Sequence, residues 1–128
     1  MNKKEIRDDL RKLMLKVCNN VESQFVHPKE DGLEFPYITI TFGRTEFQGK
    51  RKGMVTVDLV GYVKGNKADL FDKMVNLEAG MIAQLQTYTG TFEDMDSTNI
   101  FKPFGMDGII SAPYAGTRIE IQVPIEFK

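Results

Sequence analysis

The sequence contains one cysteine, Cys18, and one histidine, His27. A lone cysteine can form no disulfide within its own chain, which excludes a secreted disulfide scaffold. A reducing compartment is the simplest expectation. A catalytic triad or a zinc site needs partners that a single histidine does not have. His27 precedes Pro28 in a polar stretch and reads as an exposed loop or strand-end residue. Cys18, with apolar neighbours in a helical pattern, reads as a small core residue. No apolar run approaches the ~20 residues of a membrane span. The opening Met1-Asn2-Lys3-Lys4-Glu5-Ile6-Arg7-Asp8-Asp9 is charged and lacks the apolar stretch of a signal peptide. The formal net charge is -1, so nothing draws the whole molecule to nucleic acid or anionic membrane. Repeats, low-complexity tracts and Ser/Pro linkers are also missing. What remains is 128 residues, 41% hydrophobic and 27% charged, which suits one cytoplasmic domain over 1–128.

The chain changes its period as it goes. Ile6, Leu10, Leu13, Met14 and Val17 recur at helical spacing, with Lys4, Arg7, Asp8, Arg11 and Lys12 between them. This predicts a helix with one buried stripe, stopped at Asn19-Asn20. A short strand is expected over 23–27, then a polar loop over 27–32. After Pro36 the period becomes two. Residues 37–42 and 54–63 alternate, which predicts two antiparallel strands with one dry face and one wetter face. Residues 43–53 read as a long connecting loop, with extension of the hairpin into part of it as the alternative. Asn66-Lys67-Ala68-Asp69 is a partial capping box, and a helix follows over about 67–86. Its stripe is Leu70, Met74, Leu77, Met81 and Leu85, widened by Phe71, Val75 and Ile82. Residues 91–116 are dominated by turn signals, with a possible strand over 99–104. Residues 117–127 alternate strictly, and Pro124 assigns that strand, or its C-terminal half, to a sheet edge. The fold expected is α+β: a mainly antiparallel sheet with two helices on its apolar face.

Motifs that would carry chemistry fail on spacing. Asp94-Met95-Asp96-Ser97-Thr98-Asn99 begins like a calcium loop, but Asn99 and Gly105 stand where Gly and Glu are needed. A solvated loop is the expected alternative. Gly49-Lys50 has five residues between its glycine and Gly43, and Arg51 follows, so it is no phosphate-binding loop. Glu93 and Asp94 are adjacent carboxylates without a specific acid–base geometry. An enzyme would have only the scattered Asp58, Tyr62 and Tyr114 to work with. The expectation is a non-enzyme with no cofactor and no metal.

One surface feature survives. Arg44, Lys50, Arg51 and Lys52, offset by Glu46, give 43–53 a net charge of +3. The bland alternative is a solvated hairpin tip. The functional one is an electrostatic contact with an acidic partner or a phosphate backbone. Phe47 among these charges is a candidate interface anchor. Arg44, Phe47, Lys50, Arg51 and Lys52 are therefore the candidate partner-interface residues.

Four stretches together resemble a known family. They are Lys4-Glu5-Ile6-Arg7-Asp8-Asp9-Leu10 in the first helix, and Glu34-Phe35-Pro36-Tyr37-Ile38-Thr39-Ile40 entering the first long strand. Then come Asp58-Leu59-Val60-Gly61-Tyr62-Val63-Lys64 with Asp69-Leu70-Phe71-Asp72-Lys73-Met74, and Ile119-Glu120-Ile121-Gln122-Val123-Pro124-Ile125-Glu126-Phe127 at the end. In this order and spacing the chain resembles the tail terminator (tail-completion) family of lambda-like long-tailed phages. The resemblance implies a structural virion protein that forms a ring, usually a hexamer, on the head-proximal end of the tail tube. Such a ring stops tube growth and presents a surface for head joining. Its partners would be further copies of itself, the tail tube protein and the head-tail connector protein, with DNA only as cargo in the lumen. Within that resemblance, the expectation from its charge is that 43–53, with the polar sheet edge, lies on the tube-facing or lumen-facing side. The alternatives are a head-closure, neck or other tail-completion protein, and a small nucleic-acid-binding domain. The neutral net charge and the lack of an exposed aromatic stacking pair argue against the last.

Overall fold

The computed structural model describes residues 1–22, 34–66, 68–101 and 114–127. The order is α1 (Lys3–Met14), β1 (Asn20–Glu22), β2 (Tyr37–Phe47), β3 (Lys52–Lys64), α2 (Leu70–Leu85), β4 (Glu93–Phe101) and β5 (Tyr114–Glu126). The strands form one sheet in the order β1-β2-β3-β5-β4. Only β1 and β2 run parallel; the other pairings are antiparallel. The fold is α+β, as the periodicities indicate. The expected strand over 23–27 and His27 lie outside the described residues, as do 102–104 of the expected strand at 99–104.

Both helices pack on one face. α1 buries Ile6, Leu10 and Met14, and α2 buries Leu70, Met74, Leu77, Met81 and Leu85. Beneath them lie Ile38, Ile40, Val55, Val57, Leu59, Ile119, Ile121, Val123 and Ile125, alternate residues of the three long strands. α2 crosses β3 and β5, and α1 lies beside it over β2. Gly61 is where α2 comes close. A Cβ there would stand 2.7 Å from Leu77 Cδ2, 3.2 Å from Leu77 Cγ and 2.9 Å from Met81 Sδ. Glycine lets the sheet accept the helix at that height.

Several expectations need correction. α1 stops at Met14, three residues before Val17, and Cys18 lies in the turn beyond it. The start of α1 is a capping box that the sequence reading passed over. Glu5 N donates to Asn2 Oδ1 (2.9 Å), and Asn2 N donates to Glu5 Oε1 (3.3 Å). Asn66 does cap, but one turn early: its Oδ1 accepts from Ala68 N and Asp69 N, and the regular helix begins at Leu70. Phe71 is half-exposed and does not widen the buried stripe. The expected wetter face is wet only in part. Tyr37 and Thr39 are as buried as Ile38 and Ile40. Tyr37 stacks on Tyr62 at 4.8 Å, with Phe35, Val60 and Ile100 packed around them.

The largest correction concerns 43–53. It is not a loop. β2 continues to Phe47 and β3 starts at Lys52, so only Gln48–Arg51 turn. A bulge absorbs the irregularity: Phe42 pairs with Val57 and Thr45 with Val55, leaving Gly43 and Arg44 opposite Thr56 alone. The acidic stretch 94–99 is likewise not a loop; it lies in β4, the outermost strand beside β5. Pro124 stands where expected. β4 pairs with β5 only as far as Gln122, so the last residues of β5 have no strand on that side among the described residues; Glu126 N donates to Met1 O (3.3 Å) instead.

Candidate functional site

The basic residues sit at the far end of the β2–β3 hairpin. Strand geometry carries them there: β2, β3 and β5 stay paired to Phe47, Gly53 and Ile125, so the tip rests on a three-stranded base. Gly49 holds a φ of 122°, a left-handed backbone that suits glycine in the turn. Gln48 N donates to Lys52 O (2.9 Å), and Phe127 N donates to Arg51 O (2.7 Å), tying the turn to the chain end.

This base presents two rings. Phe47 is 67% exposed and Phe127 36%, and their centroids lie 5.3 Å apart. Phe47 pairs with Gly53, and a Cβ at Gly53 would stand 3.5 Å from the Phe127 ring. Arg51, Lys52, Glu126 and Phe127 line an open depression of about 340 Å³. Arg44 Nε is 3.7 Å from Glu46 Oε1, with both side chains largely in solvent, so the pair contributes little stability. Lys50, Arg51 and Lys52 form no ion pair among the described residues. The five candidate interface residues are thus brought to one end of the sheet. Phe127 joins them, and the sequence offered no hint of it beyond its place in the last alternating run.

Asp58, Tyr62 and Tyr114 do not converge. Asp58 and Tyr62 share a face of β3 but are about 13 Å apart along it. Asp58 Oδ1 accepts from Arg118 Nη2 (3.0 Å) and Nε (3.1 Å), and Arg118 Nη2 also reaches Glu120 Oε2 at 3.1 Å. Tyr62 is stacked on Tyr37, and burial pushes its hydroxyl above the ordinary value of 10.0. Tyr114 lies under the Lys64 ammonium, 5.8 Å from the ring centre. Burial raises the Cys18 thiol above 9.0 against a smaller lowering effect of the Asn20 backbone, which leaves it a poor nucleophile. A second depression of about 390 Å³ lies between α2 and the end of β3, lined by Val17, Phe35, Val63, Leu77, Lys64 and Lys73. Lys73 Nζ is already bonded to Lys64 O at 3.2 Å. Among the described residues no three His, Cys, Asp or Glu side chains stand together as metal ligands.

One further surface escaped the sequence reading. Glu93, Asp94, Met95 and Asp96 are all exposed on β4. They form an acidic margin across the sheet from β2.

The architecture is a helix-backed α+β domain with a basic, aromatic hairpin tip. No family model and no curated protein matches the chain. Among solved structures it is similar to that of the bacteriophage SPP1 gp17 protein. That comparison covers 94% of this chain and 87% of the other, at 16% identity and a TM-score of 0.43.

Proposed function

We propose that this chain is a structural virion protein of the tail terminator type. Copies close into a ring, with six as the expected number, on the head-proximal end of a tail tube. The ring halts tube growth and offers the surface to which the head joins. No bond is made or broken, and the protein needs no cofactor. Its place is the virion, after assembly in the host cytoplasm.

The hairpin tip carries this reading. Phe47, Phe127 and the cations of Lys50, Arg51 and Lys52 stand together at the end of the paired strands. A ring multiplies such a patch. If each copy contributed about 1.4 kcal/mol, each would tighten attachment about tenfold. Weak patches then suffice, and no single residue has to stand out. The sequence resemblance along most of the chain supports the same reading.

The test is electron microscopy of tails purified with and without the protein. A ring density at the head-proximal end and tubes of uniform length are expected. Reversing Lys50, Arg51 and Lys52 to Glu should leave tubes uncapped; normal-length virions from that variant would refute the placement of the tip. A nucleic-acid contact would use the same cations and rings. It predicts a salt-dependent affinity of the isolated protein for DNA, which the tail reading does not require.

A further inference from the structure

The hairpin tip carries both signs of charge. Glu126 stands directly opposite Lys52 on the paired strands. Glu46 stands opposite Met54, two residues from Lys52 on the same face of β3. Glu126 forms no ion pair among the described residues. Glu46 is held only by its 3.7 Å contact with Arg44. With Arg44 and Glu46 cancelling, Lys50, Arg51 and Lys52 against Glu126 leave these side chains at +2.

The rings occupy the other face. Phe47 pairs with Gly53, and the Cβ position of Gly53 points at the Phe127 ring. Gly53 shares its face with Val55 and Val57, which lie beneath the helices. The tip therefore has an apolar side continuous with the helix layer and a mixed-charge side on the face without helices.

This arrangement distinguishes between kinds of partner. A nucleic-acid backbone is negative along its whole length. Glu126 shares the depression of about 340 Å³ with Arg51 and Lys52, so a phosphate entering beside those cations meets a carboxylate. Like charges brought together at an interface penalise that partner. A protein surface can answer both signs. The rings favour the same choice. Single-strand binders stack bases on aromatic faces set along a basic groove. Phe47 and Phe127 instead lean on each other, 5.3 Å apart and tilted by 31°, away from the face of Lys52. A ring pair held on paired strands suits an apolar hollow.

We propose that the tip docks on a protein surface and that Glu126 selects that surface over nucleic acid. The surface offers carboxylates to Lys50, Arg51 and Lys52, a cation to Glu126 and an apolar hollow to the two rings. Discrimination then comes from the repulsive element as well as the attractive ones. The inference rests on the tail reading for where this surface lies, the end of the tube, and adds its chemistry.

Glu126→Lys tests it. Glu126 is exposed, so the urea midpoint should stay where it is. Two probes are used: tail tubes from particles made without the protein, in co-sedimentation, and a short labelled DNA duplex at low salt. The variant should bind tubes about tenfold more weakly or worse, because every copy in a ring repeats the loss. It should bind the duplex more tightly than the parent, with the slope of log affinity against log salt steeper by about one.

A variant that binds tubes as well as the parent, or better, overturns the role of Glu126. A parent that binds the duplex as tightly as it binds tubes makes the tip a nucleic-acid site and overturns the proposal. The tail reading fails separately, when the parent ignores tubes. In that case a gain of duplex binding in Glu126→Lys still supports exclusion by Glu126, and no gain overturns it.

Discussion

The rings of Phe47 and Phe127 lie 5.3 Å apart at the turn end of the sheet, and both face solvent. An exposed aromatic pair stabilises its own fold little. Phe47→Ala should therefore lower folding stability by less than about 1 kcal/mol in urea titration. The same substitution should reduce capping, scored as overlong tubes in micrographs. A variant that caps normally would remove Phe47 from the interface.

Gly61 sets how closely α2 sits on β3. Gly61→Val would drive carbon into Leu77 and Met81 and should destabilise the protein by about 1–3 kcal/mol. Gly43→Ala is the control. Its new carbon would have nothing nearer than Thr56 O at 3.6 Å, so stability should change by no more than about 0.5 kcal/mol. Equal urea midpoints for the two variants would contradict this account of the packing.

Asp58 and Glu120 are directly opposed on β3 and β5, and Arg118 bridges them. Arg118→Met removes the bridge and leaves like charges facing each other. It should cost about 1 kcal/mol at low salt and less at high salt. A double-mutant cycle with Asp58→Asn should return a coupling of about 0.5–1 kcal/mol, since the pair is partly in solvent. Zero coupling at low salt would show that Arg118 contributes nothing at this position.

Burial raises the Tyr62 hydroxyl above 10.0, so the folded protein keeps that proton at pH values where the unfolded chain releases it. The stabilisation is complete below pH 10 and is lost as pH rises through the folded value. Tyr88 acts in the same direction, through burial and then the charge of Asp9. Stability measured in urea should fall above pH 10, and more gently in Tyr62→Phe. An unchanged alkaline slope in that variant would show that Tyr62 ionises equally easily in both states.

The sequence was most legible where burial is one-sided. Leu70, Met74, Leu77, Met81 and Leu85 repeat with the helix because a single face of α2 meets the sheet. Ile119, Ile121, Val123 and Ile125 alternate because β5 has helices on one side only. Legibility failed where exposure is uniform. From Glu93 to Asn99 nearly every residue of β4 faces water, so no period marks it as a strand, and its acids resemble a loop. The basic residues and glycines of 43–53 hid the outer hairpin in the same way. Arg44, Lys50, Arg51 and Lys52 were legible by their charge and Phe47 as an aromatic among them, but their arrangement on a three-stranded base, with Phe127 beside Phe47, depended on pairings between distant segments.

Local chemistry written in the chain determined the two helices, the long alternating strands and the basic tip, because side-chain period and charge act over a few residues. Tertiary structure decided which strand ended the sheet, how far the hairpin stayed paired, and that Phe127 stands beside Phe47. Register between strands is fixed by the joint packing of α1 and α2 on the sheet and by the bulge at Gly43 and Arg44. Shifting a strand by one residue would turn its apolar set away from the helices.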